Sequence, residues 1–170
     1  NEFRDNTAQA GGGLCAVFIG QKTVSFNLFV GNVARDTRGG AYFESSGNVI
    51  INNTFARNTA GPATSSCTGG GLYLRNFYDT SVTRNIFAEN IGCGIVCGTA
   101  YSAIDYLNNL VWENTNEDFV GCESPPSVWL IADPQFCGAN SGDFTVSSTS
   151  PALGPGGPMG AHTEPGCTLV

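Results

Sequence analysis

Apolar and polar residues alternate along this chain in short runs, and the runs repeat. One six-residue phrase occurs five times: asparagine, any residue, phenylalanine or valine, two further residues, asparagine. It spans 1–6, 27–32, 53–58, 85–90 and 109–114, so the phrases begin 26, 26, 32 and 24 residues apart. The apolar position inside it is Phe3, Phe29, Phe55, Phe87 and Val111, and three places before the first asparagine stand Val24, Ile50, Val82 and Tyr106. Downstream of each of the first four phrases comes a glycine cluster and a second apolar run: Gly11 to Phe18, Gly39 to Phe43, Gly69 to Leu74 and Gly92 to Cys97. Alternation such as Ile50, Asn53, Phe55 turns one face of each segment inward, which predicts two or three short strands per repeat, separated by turns.

The repeat length selects among solenoids. A leucine-rich repeat needs leucines in register, which are too few, and a propeller blade needs about 40 residues. A parallel β-helix coil fits: each strand pairs with its equivalent one turn away, at roughly 4.8 Å, and like residues stack on themselves. The predicted fold class is therefore all-β, a single parallel β-helix of about five rungs over 1–132, with 133–170 as an irregular closing segment of the same domain. Phe3, Phe29, Phe55 and Phe87 are expected to form an interior aromatic ladder. Asn6, Asn32, Asn58, Asn90 and Asn114, and equally the asparagines that open each phrase, are expected to form amide ladders at the turns. The six extra residues of the third repeat, 61–66, should loop outward at the glycine bend.

Composition narrows the class further. The chain has 170 residues, 41% apolar and only 12% charged, enough for a real core. Its 23 glycines suit tight turns. A formal charge of −7 argues against nucleic acid or an anionic membrane as partner, because both need a basic footprint. The longest apolar stretch, Leu14 to Ile19, is far too short to cross a bilayer.

Seven cysteines point to an oxidising compartment, hence a secreted or cell-surface protein. Zinc does not suit the spacing, since Cys93 and Cys97 are followed by no second close pair and the only histidine is His162. Register brings cysteines together instead: Cys67 with Cys93 at equivalent glycine clusters, Cys97 with Cys122 by the same logic, and Cys137 with Cys167 within the closing segment. Cys15 is left over, either free or paired outside this chain.

These residues resemble the right-handed parallel β-helix proteins of the pectate-lyase-like class, in particular secreted bacterial repeat proteins. A second resemblance covers Asp133, Pro134, Phe136, Cys137, then Ser150, Pro151, Ala152, then Gly160, Ala161, Gly166 and Cys167. It is similar to the closing segment of such proteins, which implies that the chain leaves the last rung here and covers the end of the helix. The resemblance implies an enzyme of acidic polysaccharides only where the family's acids and bases are present. The sequence has no Asp-Asp pair, Gly-His-Gly, Asp-Pro-His or Arg-x-Lys. We assign no catalytic, cofactor-binding or metal-binding residue and no cofactor.

Other candidates are weaker. Lys22 and His162 read as a solvated side chain and a turn residue. Arg35, Arg38, Arg57, Arg75 and Arg84 interleave with Asp36, Glu44, Asp79 and Glu89 as surface pairs. Glu117, Asp118 and Asp133 could assemble a calcium site, although their spacing matches no calcium loop. Tyr73, Tyr78, Tyr101, Trp112 and Trp129 could stack on sugar rings, and Trp112 could equally cap the final rung. The leading expectation is an extracellular structural or adhesive module; the alternatives are a polysaccharide-binding module and a polysaccharide lyase or hydrolase. Asn1 opens directly on a full repeat with no leader or cap, so the chain reads as processed or as a piece of a longer one. An open first rung would also invite a second copy, head to tail, into a filament.

Overall fold

The computed structural model describes residues 1–17, 20–44, 47–61, 69–75, 79–98, 105–122 and 129–168. Among them there is no α-helix, and only two 3₁₀ turns, Ala139–Ser141 and Pro151–Leu153. Strands one repeat apart pair in parallel throughout the rungs. The largest sheet, here the Phe sheet, stacks Glu2–Arg4, Leu28–Val30, Thr54–Ala56, Ile86–Ala88, Leu110–Trp112 and Leu130–Ile131. A second, the Gly sheet, stacks Leu14–Val17, Ala41–Glu44, Gly69–Leu74, Cys93–Cys97 and Phe119–Val120. Two narrower sheets complete the coil: Thr7–Ala8, Val33–Ala34 and Thr59–Ala60 on one side, and Thr23–Ser25, Val49–Ile51 and Ser81–Thr83 on the other. The fold is a parallel β-helix.

Its core follows from the stacking. Phe3, Phe29, Phe55 and Phe87 lie ring over ring, with centroids 4.7, 4.8 and 5.0 Å apart and planes within 6°. Val111 continues the column in register, and being smaller it leaves room for the Trp129 indole to fold inward, 6.4 Å from Phe87. Around the ladder pack Ile50, Val82 and Tyr106 from the Val24 column and Phe43, Leu72, Leu74 and Ile95 from the Gly sheet, all buried.

Two columns of asparagine close the corners of the Phe sheet. Asn6, Asn32, Asn58, Asn90 and Asn114 are joined Nδ2 to Oδ1 at 2.9–3.1 Å. Asn1, Asn27, Asn53, Asn85 and Asn109 form the other at 3.0–3.1 Å. Beyond the first rung of the Asn1 column, where the Asn1 amine donates to the Phe26 carbonyl instead, each ladder Oδ1 also accepts the backbone N–H of the previous asparagine, and each interior Nδ2 also donates to a strand carbonyl. For Asn58 these are the Asn32 N–H, at 3.0 Å, and the Phe29 carbonyl, at 2.9 Å. The buried amide thus meets its full hydrogen-bonding demand.

The residue before each ladder asparagine sits in the left-handed region. In one corner these are Asp5, Gly31, Arg57, Glu89 and Glu113, with φ from 46° to 63°; in the other Phe26, Asn52, Arg84 and Asn108, with φ from 53° to 56°. Only one of the nine is glycine, although this conformation is costly for other residues. The amide ladder that follows each bend supplies the compensation. The bend also turns its own side chain outward while the next asparagine points in.

The glycine clusters have a different cause, which is contact between backbones. A Cβ on Gly39 would stand 1.9 Å from the Gly69 carbonyl oxygen and 2.1 Å from that of Gly70, in the next rung. Gly39→Ala should therefore cost about 1–3 kcal/mol by forcing the rungs apart, read as a lowered urea midpoint at unchanged m.

The closing segment corrects one expectation. It does not lie over the end of the coil but runs along its side, against the outer face of the Phe sheet. There Val146, Ala152 and Met159 bury against Ile86, Ala88 and Leu110, and Phe144 against Leu28, Val30 and Ala56. The physical reason is that the residues flanking the ladder phenylalanines are themselves apolar, and an outward apolar face needs a cover. The segment has its own small sheet of Phe136–Gly138, Asp143–Ser147 and Pro165–Cys167. A disulfide joins Cys137 to Cys167, with Cα atoms 5.8 Å apart. Cys97 is bonded to Cys122, at 4.9 Å. Cys93 is also disulfide-bonded. Its expected partner Cys67 lies outside the described residues, as do residues 62–66 of the third-repeat insertion.

Candidate functional site

The outward positions of the Gly sheet gather chemistry that the scaffold does not consume. Register places Cys15, Tyr42, Tyr73, Val96 and Val120 in one outward column, because alternate residues of these strands fill the core. Tyr42 and Tyr73 meet edge to face, centroids 5.9 Å apart at 61°. The Arg38 guanidinium lies over the Tyr42 ring, 4.7 Å from its centroid, in a cation–π contact. Beside them, Arg75 Nε stands 4.0 Å from the Glu44 carboxylate, which accepts a hydrogen bond from the Tyr42 hydroxyl. Tyr42 is buried, Tyr73 half-buried and Arg75 exposed, so the accessible part is Tyr73 with its arginines.

Burial, and then the hydrogen bond to Glu44, push the Tyr42 phenol up to about 12. Its neutral form is therefore favoured by folding. The associated stability is complete below the free phenol value of about 10 and is lost as pH rises from there toward 12. Ultraviolet absorbance titration should show a tyrosine phase near pH 12 that Tyr42→Phe reduces by one phenol.

The remaining sequence candidates are dispersed. Trp129 is half-buried: it packs over the end of the core against Phe87, Tyr106 and Phe119, and another part of it lines a hollow with Asn108, Leu130 and Gly156. Trp112 is half-buried against the cluster under the closing segment. Tyr78 and Tyr101 lie outside the described residues. Glu117 and Asp118 line a hollow of about 430 Å³ at the last rung, with Glu113, Asn114, Phe119 and Ile131. Asp118 accepts the final hydrogen bond of the amide ladder, from Asn114 Nδ2 at 2.9 Å, and Asp133 accepts from the Gln135 N–H. Among the described residues no three His, Cys, Asp or Glu side chains are grouped to hold a metal ion. Cys15 is free and exposed.

Three arginines of the surface pairs behave as expected in part. Arg38 pairs with Asp36, Arg57 with Glu89 and Arg75 with Glu44. Arg57 also reaches the closing segment, which alternating charge in the sequence could not reveal.

With the coil and its faces in place, comparison with known proteins decides the family. The model described as "Right handed beta helix region" matches residues 1–128. The chain belongs to the right-handed β-helix family. No curated protein and no solved structure matches it. The matched range holds the five rungs of this right-handed β-helix and stops just before Trp129, which roofs the ladder. Among the described residues no helix is long and apolar enough to cross a membrane.

Proposed function

We propose that this β-helix is an extracellular structural or adhesive module, and that its Gly-sheet face binds surface polysaccharide. The observation that carries the reading is the outward grouping of Tyr73 and Tyr42 with Arg38 and Arg75. A ring face stacks on a sugar, and a guanidinium beside it pairs with a sugar carboxylate in bidentate fashion. Disulfides at Cys97–Cys122 and Cys137–Cys167 support an oxidising, extracellular setting. The raised Tyr42 phenol keeps that hydroxyl neutral at physiological pH, a hydrogen-bond donor to Glu44 and not a base.

The test is retention on immobilised uronic-acid and neutral polysaccharides, with chain cleavage followed in parallel. Tyr73→Ala and Arg75→Ala should each weaken retention on the acidic polymers about tenfold, roughly 1.4 kcal/mol. Cleavage would replace this reading with the enzyme, and equal retention of the variants would place binding elsewhere.

A second reading, end-to-end self-association, is favoured by Ile131. It follows Val111 in register on the ladder column, in the strand beyond the fifth rung, yet is 68% exposed. Sedimentation across a hundredfold concentration range should give a growing mass, which Ile131→Asp abolishes; a constant monomer mass removes this reading.

A further inference from the structure

In a plain solenoid each rung touches only its neighbours, and stability is a chain of nearest-neighbour terms that frays from the ends. The closing segment breaks that rule, because one piece of chain is fastened to all five rungs. At the first, Arg4 Nη2 donates to the Gly142 carbonyl at 2.9 Å, and its guanidinium lies 5.7 Å from the Phe144 ring centroid. At the second, Leu28 and Val30 pack on Phe144. At the third, Arg57 donates to the Ala139 carbonyl at 2.8 Å and to Asn140 Oδ1 at 2.9 Å, while Asn52 Nδ2 donates to the Pro158 carbonyl at 2.7 Å and Thr54 Oγ1 accepts the Ala161 N–H at 2.9 Å. At the fourth, the Gly160 N–H donates to the Arg84 carbonyl at 2.9 Å, and Ile86 packs on Met159 and Val146. At the fifth, Leu110 joins that same cluster.

The two left-handed corner columns are what make this possible. Arg57 on one side and Asn52 and Arg84 on the other project from the bends beside the Phe sheet, forming the rims of a trough in which the segment lies. The Cys137–Cys167 bond ties the segment to itself and not to the rungs, so it holds the segment's shape while noncovalent contacts alone do the fastening.

We propose that the closing segment is a lateral clamp that couples the first rung to the last, so that the coil opens as one unit and not rung by rung. A module of this design resists unzipping from an end, whatever ligand it carries, and the inference does not depend on the polysaccharide reading.

Native-state hydrogen exchange on the oxidised full chain tests it. Useful probes are the Asp5 N–H, bonded to the Val30 carbonyl, the Thr54 N–H, bonded to that of Asn27, and the Glu89 N–H, bonded to that of Trp112. In the intact protein all three should share protection to within about tenfold, the signature of a single opening event. Phe144→Ala should speed Asp5 exchange at least tenfold beyond that of Thr54, and Met159→Ala should do the same for Glu89. Release of both ends by either variant would equally mark a clamp. A steep gradient from middle to ends in the unaltered protein would overturn the proposal. So would rung amides that neither variant accelerates, because the segment would then be a passenger.

Discussion

Phe55→Ala should destabilise the protein by about 3–5 kcal/mol, as for other fully buried aromatic truncations. Phe55 has no exposed surface and lies between Phe29 and Phe87, at 4.8 and 5.0 Å. The substitution removes two ring stackings, each worth about 0.5–1.5 kcal/mol beyond burial, and leaves a void that neighbours fixed by parallel pairing cannot fill. Urea unfolding followed by circular dichroism gives the number. Phe55→Leu should recover a large part of the loss, because most of the volume returns. A loss below about 1 kcal/mol for the alanine variant would be incompatible with an interior ladder.

Asn58→Leu should be of comparable size for a different reason. The volume is conserved, but four groups lose a partner: the Asn32 N–H, one Asn32 Nδ2 proton, the Phe29 carbonyl and the Asn90 Oδ1. All are buried, and a buried polar group left unpaired costs about 1–3 kcal/mol, so the loss should be at least about 3 kcal/mol. Asn58→Asp separates hydrogen bonding from shape. The carboxylate keeps the acceptor for Asn32 but faces the Phe29 and Asn90 oxygens without a donor, so folding should raise its pKa above the free value of about 4. The variant should then be most stable below that pH and lose stability as pH rises through the folded pKa. Stability that instead rises with pH would mean that position 58 is solvated.

Much of this was legible in the sequence because a solenoid writes its register into the repeat. Equivalent residues of successive phrases, 24 to 32 positions apart, stack on one another, so the five phrases alone placed Phe3, Phe29, Phe55 and Phe87 in one column and the asparagines in two others. Register likewise juxtaposed Cys97 with Cys122. The glycine clusters were legible as turns, although their reason, rung backbones in contact at Gly39, concerns distances that no periodicity states.

The outer surface was not legible in the same way. Whether Trp129 faces water or roofs the ladder depends on the room that Val111 leaves in the rung below, which is a matter of volume in three dimensions. The left-handed bends at Phe26, Arg57, Arg84 and Glu89 had no glycine to announce them, since the compensation comes from asparagine amides in adjacent rungs. Nor could Arg57 be told from any other paired surface arginine until the closing segment lay beside it. The flanking residues Leu28, Val30, Ala56, Ile86 and Leu110 did carry a signal, because a strand apolar on both faces is covered on both. By itself, then, the sequence determined the coil, its ladders and its register, since the same phrase recurs once in every rung. Tertiary structure decided where the one non-repeating segment lies and which outward side chains remain accessible, because both depend on contacts between residues that no period relates.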